Sequence, residues 1–295
     1  MIIVKLSGGL GNQMFQYAAG LSVAKNNNTK LFLDVDFFKK NTAHNGFELS
    51  KIFSEKFHIS TVKDVRHILG FRSYSILFKI LLRVKNNILR GQNLYIEPHF
   101  SYDRNFKKIC DNNFLVGYFQ SEKYFIDIEN LIRKIFTFNK NLNTKNKEFL
   151  KLIKNSNSVS IHIRRGDYLS NQKAFDVHGI CSDIYYDKAI SYIRKKISNP
   201  KFYIFSDDKE WVKHKFNYQK NFIVVDSNSA SQSYFDMFLM SKCKHNIIAN
   251  SSFSWWAAWL NKNPSKNVIA PKMWFKSKSL STKDLIPKNW ILING

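Results

Sequence analysis

Two adjacent arginines, Arg164 and Arg165, stand just before Asp167 in the run SVSIHIRRGDY (Ser158–Tyr168). Guanidinium offers a planar fork of N–H donors and keeps its charge at any physiological pH, so it suits a diphosphate. Asp167 is close enough in sequence to orient one arginine and leave the other for a ligand. The alternative is an ordinary loop salt bridge, worth roughly 0–1 kcal/mol. Val159, Ile161 and Ile163 alternate with Ser160, His162 and Arg164, the period of a half-buried strand. Period 2 puts His162 and Arg164 on one face, and Gly166 allows a sharp turn directly after them.

Two further polar clusters follow apolar strands. In FSDDKEW (Phe205–Trp211) a strand ends at Ser206 and Asp207, and Asp208 is placed to cap the next helix. A carboxylate at a strand end can accept from two N–H groups of one base, as guanine presents them, so Asp207 is the expected ligand. In NSSFSWWAAWL (Asn250–Leu260) Asn250, Ser251 and Ser252 open a helix, whose first turn offers unpaired N–H groups and the positive end of a dipole. Trp255 and Trp259 are four apart and share a face, which points to core packing. In open α/β sheets ligands sit at the carboxyl ends of strands. Arg164–Asp167, Ser206–Asp208 and Asn250–Ser252 all lie there.

Near the start, SGGLGNQMFQYAAG (Ser7–Gly20) joins a strand, a glycine turn and a helix in the manner of a dinucleotide fingerprint. The pattern fails at its third glycine, where Met14 stands, which disfavours a nicotinamide oxidoreductase. Asn12 and Gln13 are expected to project their amides from this turn toward a ligand. Asp34-Val35-Asp36 has DxD spacing, a weak signal for Mg²⁺ or Mn²⁺. HExxH, GxSxG and GK[ST] patterns are missing from the sequence.

The 295 residues are 44% hydrophobic and 15% aromatic, enough for ample core in one large or two medium domains. The formal charge of +24, from 46 basic and 22 acidic residues, implies attraction to something anionic. Much of the excess is lysine beside asparagine, which favours a solvated surface over a nucleic-acid stripe. Cys110, Cys181 and Cys243 lack a CxxC pair and fit reduced thiols. MIIVKLSGGL reads as a first strand and not as a leader, and no apolar run reaches the length of a membrane span, so a cytoplasmic location is expected. Tyr74–Arg90 (YSILFKILLRVKNNILR) is either a buried helix with lysine at its rim or a basic amphipathic helix contacting an anionic membrane peripherally.

Strand and helix patterns alternate throughout and most regularly after Ser158, which predicts parallel βαβ units and an α/β fold. The tract Asn139–Lys147, rich in Asn and Lys, is the candidate linker between an N-terminal and a C-terminal α/β half.

Together GGLGNQMFQYA (Gly8–Ala18), HIRRGDY (His162–Tyr168), FSDD (Phe205–Asp208) and NSSFSWWAAWL resemble the bacterial α-1,2-fucosyltransferases, glycosyltransferase family 11. GYFQSEKYF (Gly117–Phe125) and HGICS (His178–Ser182) resemble further segments, and the similarity reaches about Trp274. The resemblance implies a GT-B fold of two Rossmann-like domains facing across a cleft. Residues 1–150 would form the acceptor side and residues 151–295 would bind the GDP-sugar, with the final segment packing back on the N-terminal domain. It implies inverting transfer of L-fucose from GDP-β-L-fucose to the 2-hydroxyl of a terminal galactose, with no metal or other cofactor and no nucleic-acid partner. Arg164, then Arg165, would bind the donor diphosphate beside Asp167. Asp207, with His162 and Ser206 nearby, would read guanine. Asn250, Ser251, Ser252 and Phe253 would touch the phosphates, and Gly11, Asn12 and Gln13 would reach the donor. Asp167, Asp176, His178 and Glu122 are the candidates for a base, and the DxD would be incidental.

Overall fold

Short apolar strands followed by helices build two sheets in which every strand pair is parallel. The structure is a computed structural model describing residues 1–40, 45–83, 87–138, 141–166, 172–216, 220–277 and 280–295. The first sheet has the order β2-β1-β4-β3, from Ile2–Lys5 (β1), Leu31–Asp34 (β2), Leu94–Ile96 (β3) and Asn113–Val116 (β4). The second has the order β10-β9-β8-β5-β6-β7. Its strands are Asn157–Ile163 (β5), Pro200–Ser206 (β6), Phe222–Val224 (β7), His245–Ile247 (β8), Val268–Pro271 (β9) and Ile291–Ile293 (β10). Parallel strands need helical crossovers, which cover the sheet faces and explain why the strands read as nearly continuous apolar runs.

That covering changes the reading of β5. The alternation predicts a strand with one wet face, but β5 lies between β8 and β6 and is buried on both. Val159, Ile161 and Ile163 join Phe202, Ile204, Ile247 and Ile269 in one core. The polar face is buried too and satisfied internally: Asn246 Nδ2 donates to Ser160 Oγ at 2.7 Å, and the Lys244 N–H donates to Ser158 Oγ at 3.1 Å.

The chain divides into two units, Met1–Asn139 with Ser281–Leu285, and Lys140–Leu280 with Ile286–Gly295. The expected linker tract is structured over its second half. A helix runs over Thr144–Lys154, with the Asn143 side chain accepting from the Asn146 N–H. Asn146 is itself buried, donating to Asn228, which donates to Asp236. The stretch Ser121–Ile135 is broken into 3₁₀ turns at Glu122–Tyr124 and Ile126–Ile128 before the helix Glu129–Ile135. Tyr124 and Phe125 are both fully buried, and an α-helix would aim adjacent side chains about 100° apart. The stretch Tyr74–Arg90 contains two helices, Ser75–Arg83 and Asn87–Arg90. Among the described residues no helix is long and apolar enough to cross a membrane.

Candidate functional site

Strand pairing assembles the charged cluster. β5 and β6 run in register, with His162 opposite Phe205 and Ile163 opposite Ser206. The next residue of each strand is therefore Arg164 and Asp207, and Arg164 Nε meets Asp207 Oδ2 at 3.2 Å. The other carboxylate oxygen accepts from the Arg165 N–H at 2.9 Å. Gly166 lies close against this carboxylate, where an added Cβ would come within 3.1 Å of Asp207 Oδ2. Side-chain exposures of 26% and 22% leave the pair half-buried, where charges interact more strongly than on an open surface.

Arg165 takes a different path. Its guanidinium lies 4.1 Å from the centroid of Trp211, with Nε 3.5 Å from Asp208 Oδ2. Asp208 also accepts from the Trp211 N–H, as its predicted capping role requires, and donates its own N–H to Ser206 Oγ. Both arginines are thus held by the FSDD segment. Asp167 lies outside the described residues. Trp211 was not singled out from the sequence, although it is the third residue after Asp208 and so faces back toward that cap.

His162 sits beside the pair and is almost completely buried, with Nδ1 lacking a hydrogen-bond partner among the described residues. Burial foremost, and then Arg164, hold the imidazole neutral by driving its pKa far below the usual range, although Asp207 opposes them. Its ring lies 5.7 Å from that of Phe253, in the first turn of the helix Ser252–Leu260. That helix is capped by Ser251, whose side chain accepts from the Phe253 N–H. Asn250 is turned inward, its amide donating to the carbonyls of His178, Gly179 and Trp274 while its oxygen accepts from Cys181. It braces the site. Trp255 and Trp259 are buried core, stacked at 6.2 Å.

The first sheet ends in amides. Gly8 has φ +74°, a left-handed conformation that requires glycine, and an added Cβ would also push the Asn12 amide aside from 2.5 Å. The helix Leu10–Asn26 starts directly after, with Gly11 buried in its first turn. Gln13 does not project toward a ligand: it is fully buried, donating to the carbonyls of Gly8 and Gly46 and accepting from the Glu48 N–H. Asn12 is only half-buried and accepts from Gln120 at 2.7 Å. Gln16, which sequence reasoning missed, joins Ser7 to the Gly117 carbonyl; its spacing of i+4 from Asn12 and i+3 from Gln13 was the available signal.

Glu97 was missed as well. Its carboxyl accepts from the Tyr118 and Phe119 N–H groups and from the Tyr124 hydroxyl. Burial pushes its pKa up to about 7, against the pull of those donors. Phe119 is held at φ 52°, a left-handed conformation that two N–H bonds to one carboxyl help fix.

Asp176 is exposed and accepts from Gln172, His178 packs 5.4 Å from the Phe275 ring, and Glu122 opens its 3₁₀ turn. In the DxD, Asp34 pairs with Lys5 at 3.2 Å and Asp36 with Lys39 at 2.8 Å. An ammonium beside each carboxylate disfavours a shared cation. The described residues contain no cluster of three or more His, Cys, Asp or Glu arranged for a metal.

A paired arginine and a helix start thus lie at the carboxyl end of a parallel sheet, where an anion would be favoured. The chain matches glycosyl transferase family 11 over residues 1–294 and belongs to that family; it is a glycosyltransferase. It is 36% identical to an alpha-1,2-colitosyltransferase of Escherichia coli over 99% of both chains. It is 37% identical to the O-antigen biosynthesis glycosyltransferase WbnK of the same species, over 97% of this chain and 98% of that one. It is 24% identical to galactoside alpha-(1,2)-fucosyltransferase 2 of Rattus norvegicus, over 88% of this chain and 67% of that protein. Among solved structures it is similar to NodZ alpha-1,6-fucosyltransferase co-crystallised with GDP, with 12% identity and a TM-score of 0.49 over 87% of this chain and 91% of that one.

Proposed function

We propose that the protein transfers L-fucose from GDP-β-L-fucose to the 2-hydroxyl of a terminal galactose in a glycan, with inversion and without a metal. The observation that carries this is the Arg164–Asp207 pair at the carboxyl ends of β5 and β6. Contact through Nε fixes the plane of the Arg164 guanidinium, whose two terminal nitrogens carry four further N–H donors. Departure of GDP builds negative charge on the β-phosphate as the sugar becomes oxocarbenium-like. A preorganised guanidinium and a helix N-terminus stabilise that charge without reorganising, the effect that usually dominates such catalysis.

In this reading Arg164 binds the diphosphate and Ser251, Ser252 and Phe253 offer the helix start to it. Asp207, each of whose oxygens has a second acceptor direction, reads guanine beside Ser206 and the neutral His162. Arg165 and Asn250 act as positioning residues, Arg165 through Trp211 and Asn250 through three carbonyls. Gly8, Gly11 and Gln13 shape the first loop and leave Asn12 as its polar contact. The base stays among Asp167, Asp176, His178 and Glu122.

A second donor is favoured by the 36% identity to an alpha-1,2-colitosyltransferase. Colitose is fucose without its 3-hydroxyl, so the same pyrophosphate and guanine contacts serve both. Incubation with GDP-fucose and with GDP-colitose on a panel of β-galactosides, followed by linkage analysis, tests both readings. Transfer of fucose to the galactose 2-hydroxyl is expected; transfer of colitose alone would replace the donor, and no transfer from either would overturn the assignment.

A further inference from the structure

The helix Ser75–Arg83 buries one side and leaves the other bare. Leu81 is buried, and Leu77 and Phe78 pack on the core formed by Ile3, Ile68, Leu69, Leu94 and Phe114. The opposite stripe, at i, i+3, i+4 and i+7, carries Ile76, Lys79, Ile80 and Arg83. All four are exposed, Ile76 by 77%. The chain just before adds Phe71 and Tyr74, exposed by 71% and 60%, and the preceding helix Val62–Leu69 adds exposed Val62, Lys63 and Arg66. The Arg66 guanidinium lies 5.7 Å from the Tyr74 ring, which joins the two helices into one surface.

Large apolar side chains thus alternate with four cations, Lys63, Arg66, Lys79 and Arg83, none of which forms an ion pair among the described residues. The one acid between Thr61 and Arg83 is Asp64, which is engaged in a capping box with Thr61. The partner must therefore take hydrocarbon and positive charge within one helical turn. Nucleic acid offers no hydrocarbon for Ile76 and Val62, and a second copy of this face would set cation against cation. An anionic bilayer supplies both, acyl chains below a plane of phosphates.

We propose that this face docks the protein peripherally on an anionic lipid bilayer. Phe71, Tyr74, Ile76 and Ile80 enter the headgroup boundary, and the four cations rest on lipid phosphates. The inference stands apart from the transfer reaction and does not depend on it.

The test is sedimentation of the full chain with vesicles of phosphatidylcholine alone or mixed with phosphatidylglycerol. Binding to the mixed vesicles and not to the neutral ones is expected. Lys79→Glu with Arg83→Glu lowers it by at least about 25-fold, from roughly fivefold for each cation lost. Ile76→Ser with Ile80→Ser also lowers it, and both variants keep the thermal midpoint because the positions are exposed. Lys195→Glu with Lys196→Glu, the same change in net charge on exposed residues of another helix, leaves binding within about twofold. Equal loss in the two charge-reversed proteins would assign binding to the overall charge and overturn the proposal. So would absence of vesicle binding, equal binding to neutral vesicles, or a dimer in solution that Ile76→Ser with Ile80→Ser dissociates.

Discussion

The ends of the two sheets solve the same placement problem with opposite chemistry. At the first, Gln13 and Gln16 tie the glycine turn to Gly46, Glu48 and Gly117 through neutral amides. At the second, Arg164 and Arg165 are tied to Asp207 and Asp208 by charge, and Trp211 supports one of them. An amide satisfied at every atom is inert, and holding a loop is all it can do. A guanidinium keeps its charge while it is paired, so the pair can serve as both scaffold and tool. Burial separates the two cases: Gln13 is sealed, whereas Arg164 keeps about a quarter of its side chain accessible.

The sharpest way to break this contrast is Arg164→Ala. It is expected to lower kcat/KM at least 10²–10³-fold, about 3–4 kcal/mol, while the half-exposed ion pair it removes shifts stability by no more than roughly 1 kcal/mol. Near-normal transfer in steady-state assays would make the charged end mere scaffold, like the neutral one. Gln13→Ala tests the other side. It strands two carbonyls and one N–H in a buried place, at about 1–3 kcal/mol each, so a loss of about 3 kcal/mol or more is expected in denaturant unfolding. If instead stability holds and the donor KM rises, Gln13 contacts the ligand after all.

A smaller effect comes from Glu97. Its folded carboxyl keeps a proton up to about pH 7, against a usual value of 4.5. The folded state therefore binds more protons than the unfolded one between these values, and stability falls as pH rises through that window, by on the order of 3 kcal/mol. Asp236, also pushed up to about 7 by burial, contributes in the same direction. Glu97→Gln is expected to flatten part of the decline in thermal midpoint from pH 5 to 8, and an unchanged slope would assign it all to Asp236. The smallest effect expected is that of EDTA. Transfer should persist, because Lys5 and Lys39 already neutralise the DxD carboxylates; loss of activity restored by Mn²⁺ would revive Asp34 and Asp36 as a metal site.

The second sheet was readable where β5 and β6 run seven residues each and where Ser182 and Ser251 cap the helices Asp183–Lys196 and Ser252–Leu260. The helix Ser252–Leu260 falls where Asn250, Ser251 and Ser252 predict it. β10 escaped because Ile291–Ile293 is three residues with no periodicity of its own, and only pairing with β9 makes it a strand. The sequence marked Arg164 and Asp207 as candidates but not that they face each other, since pairing register is a long-range property. Residue type alone also misled at Gln13 and Asn250. An amide near a ligand loop reads as a contact, and which way it turns is decided by carbonyls many residues away.

The parallel alignment of β5 and β6 has an evolutionary corollary. Because cation and carboxylate arrive level with each other by counting along two neighbouring strands, their encounter is governed by spacing more than by the intervening side chains. Substitutions within either strand can accumulate while the encounter survives. A single codon gained or lost in one of them would slide the pair apart and flip the following residues to the opposite side.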